Sequence, residues 1–397
     1  MRIRAALGNV RRPEYGVVTI PLPIPKEQYD STIAMLEGLE IGAPLARDCL
    51  LYELQGPCPI LKRLERAAVN VDELDYLIRR LDSFSDEELA QFQGMAVKMG
   101  LNDMTDLIDL TFCCQQATVI TDFSDLEAVG RKHFLDLNGG CASMEELAQL
   151  DAWRTALELI LNGEGAVTPY GVVYDNGMKL ERAYDGQHLP CYYYGGDMLA
   201  AGLLPREKPQ DLSSATWVYL PATEVQISRA VARAGATVLE ELSLYYTGSM
   251  FPEEVDGALN YQQETLHSLN ALAEAVVRLA PEDYRKLGAA VTLAGPRTAA
   301  GICRLAEHLE QFRLIPGVRT PEEYGRHIVQ TPAGSGLDHD LDGFCDYTGL
   351  GLRRMEQEQG VLTDRGYITY QGTQSLEELM MEAPAEQKET MGMGGFS

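Results

Sequence analysis

The feature that most constrains this 397-residue chain is an internal repeat. Residues 71–174 align without a gap to residues 266–369, and 16 of the 104 aligned positions are identical. Chance alone would give roughly 6 identities. The identities fall on glycines and on apolar positions with helical spacing, among them Leu74/Leu269, Gly100/Gly295, Gly130/Gly325 and Gly171/Gly366. Upstream, residues 17–23 align with residues 216–222 at an offset of about 200, so the repeat predicts one folding unit present twice.

Each copy is predicted to contain three small parts. The β-rich run Tyr15–Leu22, a helix from Lys26 and a strand at 49–56 indicate an opening α+β part. Apolar residues at i, i+3, i+4 and i+7 from Leu74 predict a helical bundle. The β-rich run at 117–123 begins a second α+β part, with capping boxes expected at Ser124/Glu127 and Ser143/Glu146. The predicted fold class is therefore α+β.

These patterns also predict domain boundaries. We expect an α+β domain at 1–68, a helical domain at 69–115 and a second α+β domain at 116–182, repeated at 214–262, 263–310 and 311–372. Residues 183–213 are expected to form a linker, because Gly, Pro and Asp interrupt every periodicity there. Residues 373–397 have the composition of a tail that is partly disordered.

The charge balance limits the partners of the chain. It carries 59 Asp and Glu against 33 Lys and Arg, a formal net charge of -26, so direct binding to nucleic acid or to an anionic membrane is not expected. No run of about 18 apolar residues is present, which predicts a cytoplasmic protein. The eight cysteines form no CxxC pair, and reduced, mostly buried thiols are expected. Adjacent Cys113 and Cys114 should not both face inward from one helix.

No signature of catalysis or cofactor binding is present in the sequence. The histidines have no HExxH spacing, and no GxSxG or Walker sequence occurs. The run at 338–343, DHDLDG, begins like a calcium loop, but its twelfth position is Gly349 rather than the Glu that such a site needs. We therefore expect a protein without enzymatic activity, metal or cofactor.

Clusters of carboxylates are the strongest candidate for a functional site. Between Val71 and Leu110 ten acids face three bases, and carboxylates spaced i, i+3 on a helix repel one another, so folding alone gains nothing from them. We expect an exposed acidic band, with Leu74, Leu77, Phe92 and Leu107 buried beneath it. The expected partner-binding residues are Asp72, Glu73, Asp75, Asp86, Glu87, Glu88, Asp103, Asp106, Asp109, Asp122, Asp125, Glu127, Glu282, Asp283, Glu322, Glu323, Asp338, Asp340, Asp342 and Asp346.

Four stretches of the chain resemble the antirestriction protein ArdA family. They are VTIPLPIPKEQYD, VNVDELDYLIRRLDSFSDEELAQF, DFSDLEAVGRKHF and FCDYTGLGLRRMEQEQGVLTDRGYITY. The resemblance covers residues 1–174 and 214–372, which would be two tandem ArdA-like copies. The sequence departs from the family pattern in its doubled length, its long linker and its basic pairs Arg11/Arg12 and Arg353/Arg354.

The resemblance implies an elongated protein whose carboxylates imitate DNA phosphates and occupy the DNA site of a type I restriction-modification enzyme, protecting incoming mobile DNA. Family members act as dimers, so two units in one chain would be a pseudo-dimer, with a homodimer of the whole chain as the alternative. B-DNA carries one charge per about 1.7 Å of axis, so 26 charges correspond to roughly 13 base pairs.

Three alternatives stay open from the sequence. An acidic, non-catalytic interaction adaptor would depend on apolar hot spots, and its binding would vary little with salt. An inhibitor of another DNA-binding defence protein would use the same acidic mimicry on a different target. A hydrolase or transferase would reveal itself by a deep pocket with perturbed titrating groups.

Overall fold

The fold was analysed in a computed structural model, which describes residues 2–207, 211–330 and 345–381. Contacts divide the chain into two compact units. The first comprises residues 1–195, 202–218 and 222–245, and the second comprises residues 196–201, 219–221 and 246–397. The mixture of helices and small separate sheets confirms the α+β class.

The first unit opens with a four-stranded sheet. Its elements are β1 (Ile3–Asn9), β2 (Val17–Leu22), α1 (Tyr29–Glu37), β3 (Cys49–Gln55) and β4 (Ala68–Val69). The strand order is β2-β1-β3-β4, and β1 pairs antiparallel with both β2 and β3. Three helices follow: α2 (Val71–Asp82), α3 (Asp86–Lys98) and α4 (Met104–Leu110).

One continuous hydrophobic core joins this sheet to the three helices. It runs from Ile3 and Leu51 on the strands to Leu74, Phe92 and Leu107 on the helices. The boundary expected at residues 68 and 69 therefore does not separate two cores. The physical reason is that helices with one apolar stripe bury it against the apolar face of the adjacent sheet, since neither element alone covers that surface.

The first copy ends in a small α+β module, which we call the 118–174 module. It contains β5 (Thr118–Ile120), α5 (Leu126–Leu137), α6 (Met144–Gln149), α7 (Ala152–Asn162), β6 (Ala166–Thr168) and β7 (Gly171–Tyr174). The strand order is β5-β7-β6. A small core of its own includes Ile120, Val129, Ala156 and Tyr174.

The segment expected to be a linker contains a buried strand. Strand β8 (Leu199–Pro205) is the middle strand of a three-stranded sheet of order β10-β8-β9, with β9 (Thr216–Leu220) and β10 (Leu242–Thr247) at its sides. The expectation of a linker over 183–213 is thus wrong at this strand. Six of its seven residues are buried, so it shows no polar alternation, and its Ala and Gly residues have low β-propensity.

The remaining elements of the chain are helices α8–α15 and strands β11–β13. They are α8 (Glu224–Arg233), α9 (Glu253–Ala258), α10 (Leu266–Val277), α11 (Pro281–Ala294), α12 (Ala299–Glu307), β11 (Phe312–Pro316), α13 (Pro321–Gln330), α14 (Tyr347–Glu358), β12 (Val361–Thr363), β13 (Gly366–Tyr370) and α15 (Leu376–Met380). Among the described residues, no helix is both long and apolar enough to cross a bilayer.

Secondary structure recurs at the offset of 195 that the sequence repeat predicts. Helices α2, α3, α4, α5 and α7 begin 195 residues before α10, α11, α12, α13 and α14. The strand order β5-β7-β6 recurs as β11-β13-β12. Strand register recurs too, because the pair Thr118 and Tyr174 corresponds to Arg313 and Thr369. The two segments therefore share their element order and their pairing register.

Helix α8 lies in the first compact unit, although the sequence repeat assigns it to the second copy. Its residues Arg229 and Arg233 are buried and bind main-chain carbonyls of the first copy. The Thr223 hydroxyl at its N-terminus donates to Asp30 on α1, 2.7 Å away. The sequence repeat therefore does not coincide with the division into compact units.

The N-terminal ends of the helices carry one of the two capping boxes expected from the sequence. The capping box expected at Ser143/Glu146 is confirmed, and another is present at Ser85/Glu88. The capping box expected at Ser124/Glu127 is absent, because Asp125 caps α5 instead and accepts from the Ala128 amide. The expected tail begins with the short helix α15, whose Leu379 is buried.

Cys113 and Cys114 are both buried, contrary to the expectation for one helix. Helix α4 ends at Leu110, and a 3-10 turn begins at Cys114, so the two side chains do not lie on a common helix. Burial raises the pKa of both thiols, which keeps them protonated and unreactive at neutral pH.

Close helix contact in the two copies depends on glycines, at Gly130 in the first copy and at Gly325 and Gly351 in the second. A Cβ at Gly130 in α5 would lie 1.8 Å from the Ala152 carbonyl oxygen, and a Cβ at Gly325 in α13 would lie 2.0 Å from the Tyr347 carbonyl oxygen. Both obstacles are backbone atoms, which cannot rotate away. We expect Gly130→Ala and Gly325→Ala each to lower the free energy of unfolding by about 1–3 kcal/mol.

Gly257→Ala is the matched control, because Gly257 in α9 has no atom within 4 Å of its added Cβ. It should raise stability by up to about 1 kcal/mol through helix propensity alone. Urea unfolding followed by circular dichroism measures all three variants. Unchanged or increased stability of Gly130→Ala would show that the close α5–α7 contact is wrong.

Candidate functional site

The predicted burial of four apolar residues beneath the acidic band is confirmed. Leu74, Leu77, Phe92 and Leu107 are all 0% exposed. The carboxylates between them are distributed in a way that the sequence did not predict. Several lie inside the first unit and bind its own backbone and its own arginines.

Asp72 is an internal ion-pair partner rather than a surface carboxylate. Its Oδ1 lies 2.8 Å from Nη2 of Arg229, and its Oδ2 lies 3.7 Å from Nη2 of Arg233. Arg233 also donates to Oδ1 of Asn70 (2.8 Å). Asn70 caps α2 by accepting from the amides of Asp72 and Glu73. The first turn of α2 is therefore the centre of a buried polar network, in which acids also complement the helix dipole.

Glu73 and Asp75 are buried as well. The Tyr184 hydroxyl donates to Oε1 of Glu73 (2.8 Å), and Tyr184 itself is almost fully buried. Asp75 accepts from the Ile24 amide (2.7 Å) and from Nε of Arg79 (2.7 Å). Burial raises the pKa of both carboxyl groups. Their assignment to an exposed acidic band is wrong, because each one satisfies donors from segments that pack against α2.

Asp109 is 0% exposed and binds the segment that follows the first copy. Its Oδ1 accepts from the amides of Ala183 (2.9 Å) and Tyr184 (2.8 Å), and its Oδ2 lies 3.1 Å from Nη1 of Arg182. Arg182 also binds the partly exposed Asp106 at 2.5 Å. The i, i+3 spacing of these acids thus serves a docked segment and not an external partner, which corrects the expectation for Asp109.

The other acids near α3 and α4 remain at the surface. Asp103 is exposed and caps α4, while Asp86 and Glu87 are exposed in the first turn of α3. Glu87 contacts Lys132. Glu88 is half-buried and completes the capping box with Ser85. These residues keep their negative charge near solvent, but part of their role is helix capping.

The 118–174 module carries the densest exposed acidic surface of the first copy. Its exposed acids are Asp122, Asp125, Glu127, Glu145, Glu146, Asp151, Glu158 and Glu164, whereas its exposed Lys and Arg residues are Arg131 and Arg154. Both arginines are paired within their own helix, with Glu127 (3.2 Å) and Glu158 (2.9 Å). Five of these acids, from Glu145 onward, were missed by the sequence analysis. Helical phase would have revealed Glu158, since Ala152, Ala156 and Leu159 form the buried face of α7.

In the corresponding part of the second copy, the described residues expose acids and bases in similar numbers. Within 313–330 and 345–369 the exposed acids are Glu322, Glu323, Asp346, Glu356 and Asp364, and the exposed bases are Arg313, Arg319, Arg353 and Arg354. Glu323 and Asp346 cap helices, and Glu322 pairs with Arg326. Glu282 and Asp283 lie in the first turn of α11, where Asp283 pairs with Lys286. The predicted residues Asp338, Asp340 and Asp342 lie outside the described residues.

The first unit also contains an open cleft, the kind of feature that could hold a substrate or a metal ion. It has a volume of about 300 Å³ and is lined by Glu37, Glu40, Asp48 and Arg229, among others. Asp48 accepts from the amides of Gly42 (2.9 Å) and Ala43 (3.1 Å), and Arg229 is held by Asp72. Within the described ranges, no group of three or more His, Cys, Asp or Glu side chains could hold a metal ion. The exposed acids of the 118–174 module are the candidate site, because they form the densest exposed acidic surface of the first copy.

The buried and exposed carboxylates should differ in their effect on stability. Asp109→Asn places an amide donor against the Arg182 guanidinium and removes the charge that three donors share. We expect it to lower the free energy of unfolding by about 3 kcal/mol. Asp103→Asn is the matched control, since Asn caps a helix as well as Asp does, and it should stay within about 0.5 kcal/mol. Equal effects in urea unfolding would contradict the internal role of Asp109.

The raised pKa of Glu73 predicts a pH dependence. The folded protein binds this proton at a higher pH than the unfolded chain, so protonation of Glu73 stabilises the folded state. This contribution to the free energy of unfolding is complete below the ordinary pKa of 4.5 and is lost as pH rises through the raised pKa. Glu73→Gln mimics the protonated form and still accepts from Tyr184. At pH 7 it should be more stable than the natural protein, and this advantage should shrink toward pH 4.5. An advantage that grows with acidity would refute the assignment.

Relatives of known function could have assigned a role to this surface independently. A scan against protein-family models and a search of curated proteins both found no match.

Proposed function

We propose that the protein is an antirestriction decoy, which binds a DNA-binding protein through exposed carboxylates and occupies its DNA site. The observation that supports this proposal is the 118–174 module, which exposes eight acids and only two arginines, each already paired within its own helix. A surface of this kind presents an excess of fixed negative charge, as the phosphates of a duplex do.

Energetics also favour a role in binding for these acids. An exposed ion pair contributes little to stability, and unpaired like charges on neighbouring helix turns are destabilising. The buried acids of α2 and α4 bind segments that pack against these helices, whereas the printed contacts of the module's exposed acids are local. They are helix caps at Asp125, Glu146 and Asp151, a turn at Asp122, and same-helix ion pairs at Glu127 and Glu158. Their surplus is useful only where a partner supplies positive charge.

The target class follows from the ArdA resemblance, which implies the DNA site of a type I restriction-modification enzyme. Another DNA-binding defence protein would meet the same carboxylates with the same chemistry, because phosphate neutralisation does not read base sequence. The protein itself performs no reaction in this proposal. It acts by mass action, as a competitor of DNA for one basic groove.

Competition with DNA for a purified type I methyltransferase tests this function. The variant combines Asp122→Asn, Asp125→Asn, Glu145→Gln and Glu164→Gln, four exposed acids of the module whose replacements keep the Asp125 cap. We expect the four changes together to weaken competition about tenfold, in graded steps, because each exposed ion pair contributes up to about 1 kcal/mol. The natural protein should compete less well as salt rises.

The matched control removes the same charge elsewhere, with Glu14→Gln, Glu27→Gln, Glu37→Gln and Glu53→Gln, all exposed residues of the opening α+β part. It should compete nearly as well as the natural protein. An equal loss of competition in both variants would mean that the net charge of the protein matters and that the surface of the 118–174 module has no special role. Competition that is insensitive to salt would favour the apolar adaptor, and no competition with any restriction or modification enzyme would exclude the decoy.

A further inference from the structure

Helix α7 in the 118–174 module has two apolar faces, and the protein covers one of them. Ala156 and Leu159 are buried in the small core of the module. Trp153 is 54% exposed and Leu161 is 76% exposed, with the half-buried Leu157 between them in sequence. At i, i+4 and i+8 these three residues span about 80° of the helix surface. They form a continuous apolar stripe, which we call the Trp153 stripe.

The fold of the second copy shows that Trp153 and Leu161 are not needed to form this helix pair, although Leu352 is kept at the position of Leu157. The equivalent helix α14 of the second copy begins at the same offset and packs against α13 through the same close glycine contact. At the positions of Trp153 and Leu161 it carries Thr348 and Glu356. The same helix pair thus forms with polar residues at both positions. An exposed Trp beside an exposed Leu leaves apolar surface in water at a cost of about 25 cal/mol per Å².

The surroundings of the stripe indicate what could cover it. The module exposes eight carboxylates and two paired arginines, among them Glu158 and Arg154 on α7 itself. A second copy of the chain would bring its own carboxylates to the contact, so it complements the charge of these surroundings less well than a basic partner does. An anionic membrane would be repelled, since helices that bind membranes carry Lys and Arg on their polar face. A basic protein surface is complementary to both features.

We propose that the Trp153 stripe is a docking surface for a basic, amphipathic helical segment of a partner protein, with Trp153 as the apolar anchor. Large aromatic side chains that enter a desolvated pocket dominate binding energies, and surrounding charges steer the encounter. This inference goes beyond charge mimicry, because the carboxylates provide attraction over distance and the stripe provides a contact that salt does not screen. It also makes the two copies unequal, since the described second copy has no matching Trp.

The two tryptophans of the chain make a direct test practical. Trp217→Phe leaves Trp153 as the single tryptophan, so its emission reports on the stripe alone. The intact protein is titrated with an amphipathic helical peptide of Leu and Lys, with oligolysine of equal charge, and with vesicles of phosphatidylcholine and phosphatidylserine. We expect the Leu/Lys peptide to shift Trp153 emission to the blue and to protect Trp153 from quenching by acrylamide. The peptide should stay bound at 0.5 M salt, where the Debye length is about 4 Å.

Variants measured by anisotropy of a labelled Leu/Lys peptide complete the test. Trp153→Thr and Leu161→Glu, which introduce the residues of the second copy, should each weaken binding about 30-fold, as expected for an anchor worth 2 kcal/mol. Leu352→Ser is the matched control, because Leu352 in α14 is also exposed, and it should leave binding unchanged.

Three results would overturn the proposal. They are equal binding of oligolysine and the Leu/Lys peptide, a blue shift that grows with protein concentration without peptide, and a blue shift with vesicles. The second would assign the stripe to another copy of the chain, and the third to a membrane. Because the probes are synthetic peptides, failure here is separate from failure of the competition with DNA.

Discussion

The first unit depends on the polar network at the start of α2. Asn70 caps this helix with its side-chain oxygen and donates its amide group to the carbonyls of residues 43, 44 and 46. Arg233 enters the same network from α8 and binds both Asn70 and a carbonyl of the loop before β3. A buried guanidinium is tolerated only where acceptors surround it. The network therefore determines which segments can pack against the first copy.

Because buried charged groups need hydrogen-bond partners, the acidic residues fall into two groups. Asp72, Glu73, Asp75 and Asp109 have main-chain amides, arginines or a tyrosine as partners, so they are part of the fold. The acids of the 118–174 module have few partners beyond caps and same-helix pairs. Net charge alone does not distinguish the two groups, although only the second is available to a partner. A function that depends on charge must be assigned to that second group.

The duplicated scaffold carries two different surfaces. Element order, strand register and the glycine contacts between helices recur, because these depend on backbone geometry and on buried side chains. Exposed positions are free of that constraint. The first copy uses them for carboxylates and for an apolar stripe, whereas the described part of the second copy mixes acids with Arg353, Arg354 and other bases. The proposed decoy is therefore asymmetric.

The sequence by itself determined the repeat, its offset, the α+β class and the burial of Leu74 and Phe92, because helical periodicity and glycine spacing are local properties of the chain. It could not reveal strand β8, whose burial on both faces removes alternation. It also could not show that Asp109 is internal, since a carboxylate looks the same in sequence whether its partner is water or a distant amide. Only the tertiary structure decided which acids face solvent, because the donors that bind Asp72, Glu73 and Asp109 come from segments more than 70 residues away.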